Sequence, residues 1–237
     1  MIAGRRVLVT RPEPGASRTA RRLAADGFEP LVLPLTVFSR RETGRIDLAG
    51  VSAIALTSAN AVRAMPADLP VLAGDIPVLA VGRQTAAAAR EAGFARVATG
   101  PGDGAGLAAL AAQVAEGGAV LHLCGSPRDG DFETALSARG VTVRPVETYA
   151  MVATDIRDAE LAALGAADAV LVYSAEGGRH LAELAARPAA RQLLAGARVL
   201  CLSDKCASAV SGRLLDRVAV AARPDEDALF DLLTRGD

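Results

Sequence analysis

Hydroxyls, glycines and arginines, rather than acid–base pairs, occupy the points where this chain could do chemistry. Thr57 and Ser58 end an apolar run, Ala53–Leu56, and stand just before an Ala-rich helical pattern that begins at Asn60. A strand-to-helix turn leaves backbone N–H groups without intrahelical partners, and these favour an anionic ligand. Helix capping by the same side chains is the competing reading. Similar turns follow at Gly82–Thr85 and Gly100–Gly106, then at Gly125–Asp131, Ser174–Gly178, Ser203–Cys206 and Arg223–Asp227. Arg11, Arg83 and Arg128 lie in such loops, where a guanidinium fork can grip carboxylate or phosphate. A solvated surface position is the alternative for each. No carboxylate pair has an obvious partner, and neither a Ser-His-Asp set nor a cysteine beside a histidine is evident. His122 and His180 fall in no metal-ligand pattern with a cysteine, so no metal is expected. His122 alternates within a strand pattern and reads as a core histidine, and His180 as a surface one. The glycines at 100, 102, 104 and 106 form neither G-x-G-x-x-G after the first strand nor a phosphate-binding G-x-x-x-x-G-K-[ST].

Composition narrows the function classes. The 237 residues are 51% hydrophobic and 22% charged, with net charge −1, a balance unlike that of a general nucleic-acid binder. Lys205 is the sole lysine, so nearly all positive charge is arginine. No apolar run reaches the roughly 18 residues of a membrane span, and the N-terminus enters a strand pattern without a signal peptide. Three widely spaced cysteines, Cys124, Cys201 and Cys206, suit reduced thiols in the cytoplasm.

The elements that must position these loops alternate between strand and helix. Strand-like runs at Arg5–Thr10, Pro30–Leu35, Ala53–Leu56, Pro77–Val81 and Arg96–Thr99 are interleaved with helical patterns at Arg18–Ala25, Asn60–Met65, Thr85–Ala92 and Gly106–Val114. Short, continuously apolar strands between helices predict a doubly wound α/β fold with parallel sheets covered on both faces. An internal repeat supports this. A shift of 113 lays Val7-Leu8 on Val120-Leu121, one of 117 lays Ile54–Ser58 on Leu171–Ala175, and one of 121 lays Val78–Val81 on Val199–Leu202. Two similar five-stranded units imply a bilobal molecule with ligand loops beyond the carboxyl ends of the strands, facing a cleft.

These residues also carry a family resemblance. VLVTRP near the start, LTSANAV at Leu56–Val62, AVGRQTAAAAREAGF at Ala80–Phe94 and VRPVETYAM at Val143–Met151 occur in an order and spacing that resembles uroporphyrinogen-III synthase over nearly the whole chain. The resemblance implies two flavodoxin-like lobes with an exchanged architecture: residues 1–34 plus 152–237 in one, 42–144 in the other, and connecting strands at 35–41 and 145–151. Few contacts need cross between such lobes, so a hinge is expected.

The implied activity is cofactor-independent cyclisation of hydroxymethylbilane, a linear tetrapyrrole with eight carboxylates, to uroporphyrinogen III, with inversion of ring D and loss of water. The implied enzyme is a cytoplasmic monomer that engages neither nucleic acid nor membrane. By the same resemblance, Tyr149 is the catalytic candidate, a phenol that donates to the departing hydroxyl, with strand packing as the alternative. Thr57, Ser58, Asn60, Gly82 and Thr85 become substrate contacts, together with the loop residues Arg11, Arg128, Ser174 and Ser203. The second half departs from the pattern. Tyr173-Ser174-Ala175-Glu176 and Ser203-Asp204-Lys205-Cys206 replace the family's turns, Glu176 and Asp204 would repel carboxylates if they faced the cleft, and Cys206 reads as a packing residue. Those departures keep open a non-catalytic tetrapyrrole- or anion-binding sensor of the same build.

Overall fold

A computed structural model describes residues 4–234 except 116, 129 and 211; Asp129, in the expected Gly125–Asp131 loop, thus lies outside the described residues. The strands are β1 (Arg6–Val9), β2 (Glu29–Val32), β3 (Thr36–Arg40), β4 (Val51–Leu56), β5 (Val78–Ala80), β6 (Val97–Thr99), β7 (Ala119–Ser126), β8 (Val143–Ala153), β9 (Ala169–Val172), β10 (Arg198–Cys201) and β11 (Val218–Val220). The helices are α1 (Gly15–Ala25), α2 (Ala59–Ala64), α3 (Leu69–Ala73), α4 (Arg83–Glu91), α5 (Gly104–Val114), α6 (Asp131–Ser137), α7 (Asp158–Leu164), α8 (Ala175–Ala186), α9 (Arg191–Leu194), α10 (Asp204–Ala207) and α11 (Glu226–Thr234). The chain divides into two compact units, Met1–Phe38 with Val152–Asp237, and Ser39–Met151.

The first unit holds a five-stranded parallel sheet in the order β11-β10-β9-β1-β2. Its strands read as unbroken apolar runs because both faces are covered. Leu8 points into a cluster with Val170, Val172 and Val199, while Val7 and Val9 point the other way, into Leu23, Leu171 and Leu229. Truncating a wholly buried leucine such as Leu8 to alanine costs about 2–5 kcal/mol.

The second unit's sheet is six-stranded, β3-β8-β7-β4-β5-β6, and parallel from β8 to β6. Ala53, Ala55, Leu79 and Val120 pack beneath α5 on one face. Two features exceed the five-strand expectation for this unit. β3 adds a sixth strand, bracketed by backbone bonds from Arg41 N to Thr148 O and from Thr154 N to Leu35 O, so it runs against β8. β8 is also one continuous strand of 11 residues, pairing with β7 from Val143 and carrying on to Ala153.

When strands are matched through the repeat, β7 corresponds to β1, β4 to β9 and β5 to β10. Both sheets then follow the order 2-1-3-4-5, with strands 1 and 2 supplied by one half of the chain and 3 to 5 by the other. The strand order reverses between β7 and β4 in one unit and between β1 and β9 in the other. Crevices beyond the carboxyl ends of strands at such points are where open α/β sheets take ligands.

Candidate active site

At the reversal point of the second unit, the carboxyl ends of β4, β5, β7 and β8 lie side by side. They bring together Thr57, Ser58, Asn60, Gly82, Thr85, Arg128 and Tyr149, which stand far apart in sequence. Ser58, two residues past the end of β4, has extended backbone, and its hydroxyl accepts from Asn60 N at 3.1 Å, capping α2. The capping reading of this serine is therefore realised, and the same oxygen also meets the phenol of Tyr149.

Tyr149 is 8% exposed and lies on Gly125, its partner in the β7–β8 register. A Cβ at position 125 would sit 2.3 Å from Tyr149 Cζ and 2.7 Å from its hydroxyl, so glycine is required there for room. Burial raises the phenol's pKa, against a smaller lowering from Ser58. Tyr149 therefore keeps its proton at neutral pH.

Beside this pair runs a chain of hydrogen bonds from three elements. The Thr57 hydroxyl is 2.9 Å from His122 Nε2, and His122 Nδ1 is 3.0 Å from Glu133 Oε1. His122 projects from mid-β7 with 2% exposure against the Phe132 ring, centroids 4.7 Å apart. Arg128 Nε donates to the same Glu133 oxygen at 2.7 Å, and its Nη1 donates to Glu147 at 2.7 Å, which also pairs with Arg41 at 2.9 Å.

Burial lowers the pKa of His122, outweighing the opposing pull of Glu133, so the imidazole is neutral near pH 7. Burial raises Glu133, but its bonds from Arg128, from its own backbone N–H and from His122 outweigh that, and its carboxyl lies below the usual range. The hydroxyl–imidazole–carboxylate set that sequence spacing did not reveal is thus assembled from β4, β7 and α6. Its members lie 65 and 11 residues apart. The one sequence signal was an acidic residue in the first turn of a helix.

Gly82 opens α4 with extended backbone and no capping side chain, and Thr85 is buried in its first turn. Arg83 beside them is exposed. A surface cavity of about 630 Å³ is bordered by Ser126, Arg128, Glu133 and Pro145.

His122, Cys124 and Glu133 offer donor atoms within 4.8 Å of one another, the one such set of three among the described residues. It fits a cation poorly. Arg128 already sits on the Glu133 oxygen, and burial pushes the Cys124 thiol up to about 11, disfavouring a thiolate ligand.

The first unit places Arg11, Ser174 and Ser203 at the carboxyl ends of β1, β9 and β10. Ser174 accepts from Gly177 N at 3.0 Å and Ser203 from Cys206 N at 3.4 Å, so both cap helices. Arg11 lies over the Tyr173 ring at 4.2 Å and pairs with Glu226 at 3.2 Å. Glu226 also accepts from Tyr173 at 2.7 Å and Thr19 at 2.6 Å. Sequence reading missed this carboxylate because its partners come from opposite ends of the chain. Glu176, read as a source of repulsion, is engaged by Arg179 and His180. His180, read as a surface residue, is largely covered and held between Glu176 and Glu183. Cys206 is buried, as a packing residue should be.

A search of curated proteins by sequence finds no match. Among solved structures, uroporphyrinogen-III synthetase from Helicobacter pylori superposes with a TM-score of 0.68 at 16% identity, covering 97% of this chain and 98% of the other. A mutant uroporphyrinogen III synthase from the extremely thermophilic bacterium Thermus thermophilus gives 0.60 at 20% identity, covering 98% of each. These likenesses show a shared fold. The sequence profile described as uroporphyrinogen-III synthase HemD matches residues 17–231, a span that takes in both units and every residue of the site except Arg11. By that match, the chain belongs to the uroporphyrinogen-III synthase HemD family.

Proposed function

We propose that this protein cyclises hydroxymethylbilane to uroporphyrinogen III without a cofactor, in the cytoplasm, and that the second unit's site carries the chemical step. The observation that carries the reading is the protonated phenol of Tyr149, fixed on Gly125 and bonded to Ser58 among the turns at Thr57–Asn60 and Gly82–Thr85. Loss of the terminal hydroxyl, carried by the end ring opposite ring D, needs a proton donor at neutral pH, and a buried phenol with a raised pKa supplies one without being a base. Electron-rich pyrroles provide the driving force once the hydroxyl has left as water. The remaining work is positioning: the substituted carbon of ring D must attack, through a spiro intermediate, faster than the unsubstituted route to isomer I.

Backbone N–H groups at the α2 and α4 starts, with Arg128, Arg11, Ser174 and Ser203, are assigned to the substrate's carboxylates and polar edges. For the arginines this means sharing a guanidinium already paired with Glu133 and Glu147, or with Glu226. The test supplies enzymatically generated hydroxymethylbilane to the purified protein, then oxidises and separates the isomers. Predominantly type III product is expected. Type I alone, at the spontaneous rate, would refute the reading and favour a ligand-binding role.

A further inference from the structure

Buried His122 and half-buried Glu133 lie beside the site and do no work in the reaction as described so far. Their geometry nevertheless fixes the direction of one proton. Glu133 is ionised and can only accept, and it faces Nδ1 at 3.0 Å. A neutral imidazole must then carry its proton on Nδ1, which leaves Nε2 as an acceptor. Among the described residues, the group bonded at Nε2 is the Thr57 hydroxyl, 2.9 Å away, so its hydrogen points inward to the ring. Arg128 locks the same carboxylate oxygen from the other side, and the Phe132 ring braces the imidazole.

We propose that His122 and Glu133 are positioning residues that hold the Thr57 hydroxyl hydrogen inward, so that its oxygen meets the substrate as an acceptor for a pyrrole N–H. This rests on the synthase reading and refines it, because it gives the substrate contact Thr57 a specific partner, a pyrrole N–H rather than a carboxylate. An oxygen presenting lone pairs repels a carboxylate, whereas each ring of a linear tetrapyrrole offers one N–H donor. Thr57 is half-buried at the end of β4, next to the serine that holds Tyr149, so a pyrrole bound there lies beside the phenol.

Two measurements on the full chain test this. Protein labelled with nitrogen-15 histidine, compared with a His180→Gln variant to assign the two rings, is read at neutral pH by two-bond nitrogen–proton correlation. His122 is expected as the neutral Nδ1–H tautomer. An Nε2–H tautomer or an imidazolium would turn the Thr57 hydroxyl outward as a donor and overturn the proposal.

In the product assay, Thr57→Val should lower kcat/KM by about 10-fold, the value of one lost hydrogen bond, while Thr57→Ser stays near wild type. Adding His122→Gln to Thr57→Val should cause no further loss, because His122 acts only through that hydroxyl. Full activity in Thr57→Val, or a further 10-fold loss in the double variant, would overturn it. A wild-type chain that makes no type III product yet shows the Nδ1–H tautomer refutes the synthase reading while upholding the oriented acceptor.

Discussion

Replacing Gly125 by alanine tests whether the site depends on the Tyr149 ring lying where it does. The new methyl would stand 2.3 Å from Cζ, 2.6 Å from Cε2 and 2.7 Å from the hydroxyl, against 3.4–4 Å for ordinary contact. Gly125 has no left-handed φ, so alanine adds no backbone strain and the collision is the whole perturbation. Tyr149 is 8% exposed and anchored at Ser58, so the ring cannot swing clear. It must retreat by roughly 1 Å, and overpacking of this kind costs about 1–3 kcal/mol. For a chain of this size that lowers Tm by roughly 2–12 °C. A misplacement of about 1 Å at a reacting group costs on the order of 100-fold in rate. Thermal unfolding and type III product formation would be measured on the same preparation. Wild-type Tm and full rate in Gly125→Ala would refute the placement of the phenol; lowered Tm with full rate would keep the packing and remove Tyr149 from the chemistry.

Three further outcomes are expected. Tyr149→Phe should cut type III formation by about 100- to 1,000-fold and lower Tm by only a few degrees, since the ring still fills its place; an unchanged rate would count against the donor role. Burial depresses the His122 pKa from its ordinary 6.5, so below that pH the unfolded chain binds a proton that the native chain refuses. Stability present above about 6.5 should therefore fall as pH drops toward the native value. Urea denaturation at about pH 7.5 and about pH 5.5 measures this, and a His122→Gln variant with the same pH slope would contradict it. Finally, burial pushes Cys124 to about 11 and Cys201 to about 12, and all three cysteines are buried. A thiol reagent at pH 8 should label them only after denaturant is added, and rapid labelling of the native protein would show otherwise.

The sheets were legible because both faces of each strand are covered, so runs such as VLVT and AIAL stay apolar throughout. The repeat was legible because the corresponding strands kept similar sequences. Which half of the chain completes which sheet came only from the resemblance and not from the residues' own pattern, since β1 pairs with β9 through backbone bonds that leave no mark on composition. The turns at Thr57–Asn60 and Gly82–Thr85 announced themselves by local chemistry. His122 did not: in the sequence it alternates like a core residue, and it is one by burial. Its partners lie on a neighbouring strand's turn and in the next helix, and only folding creates their 2.9 and 3.0 Å contacts. Glu226, held by residues near the other end of the chain, was hidden for the same reason.

The divided sheet also governs the order in which the protein can be built. Residues 39–151 form one uninterrupted unit and can fold as soon as they leave the ribosome. β1 and β2 emerge before that unit, yet they must wait for β9, which begins at Ala169, before their sheet can form. During that interval the apolar faces of β1, which Leu8 on one side and Val7 and Val9 on the other fill in the folded unit, are uncovered. Leu35 and Thr154, which flank the insertion, are joined by a 2.9 Å backbone bond. A short linker between these neighbours would let the discontinuous unit be made as a single chain, free of the wait.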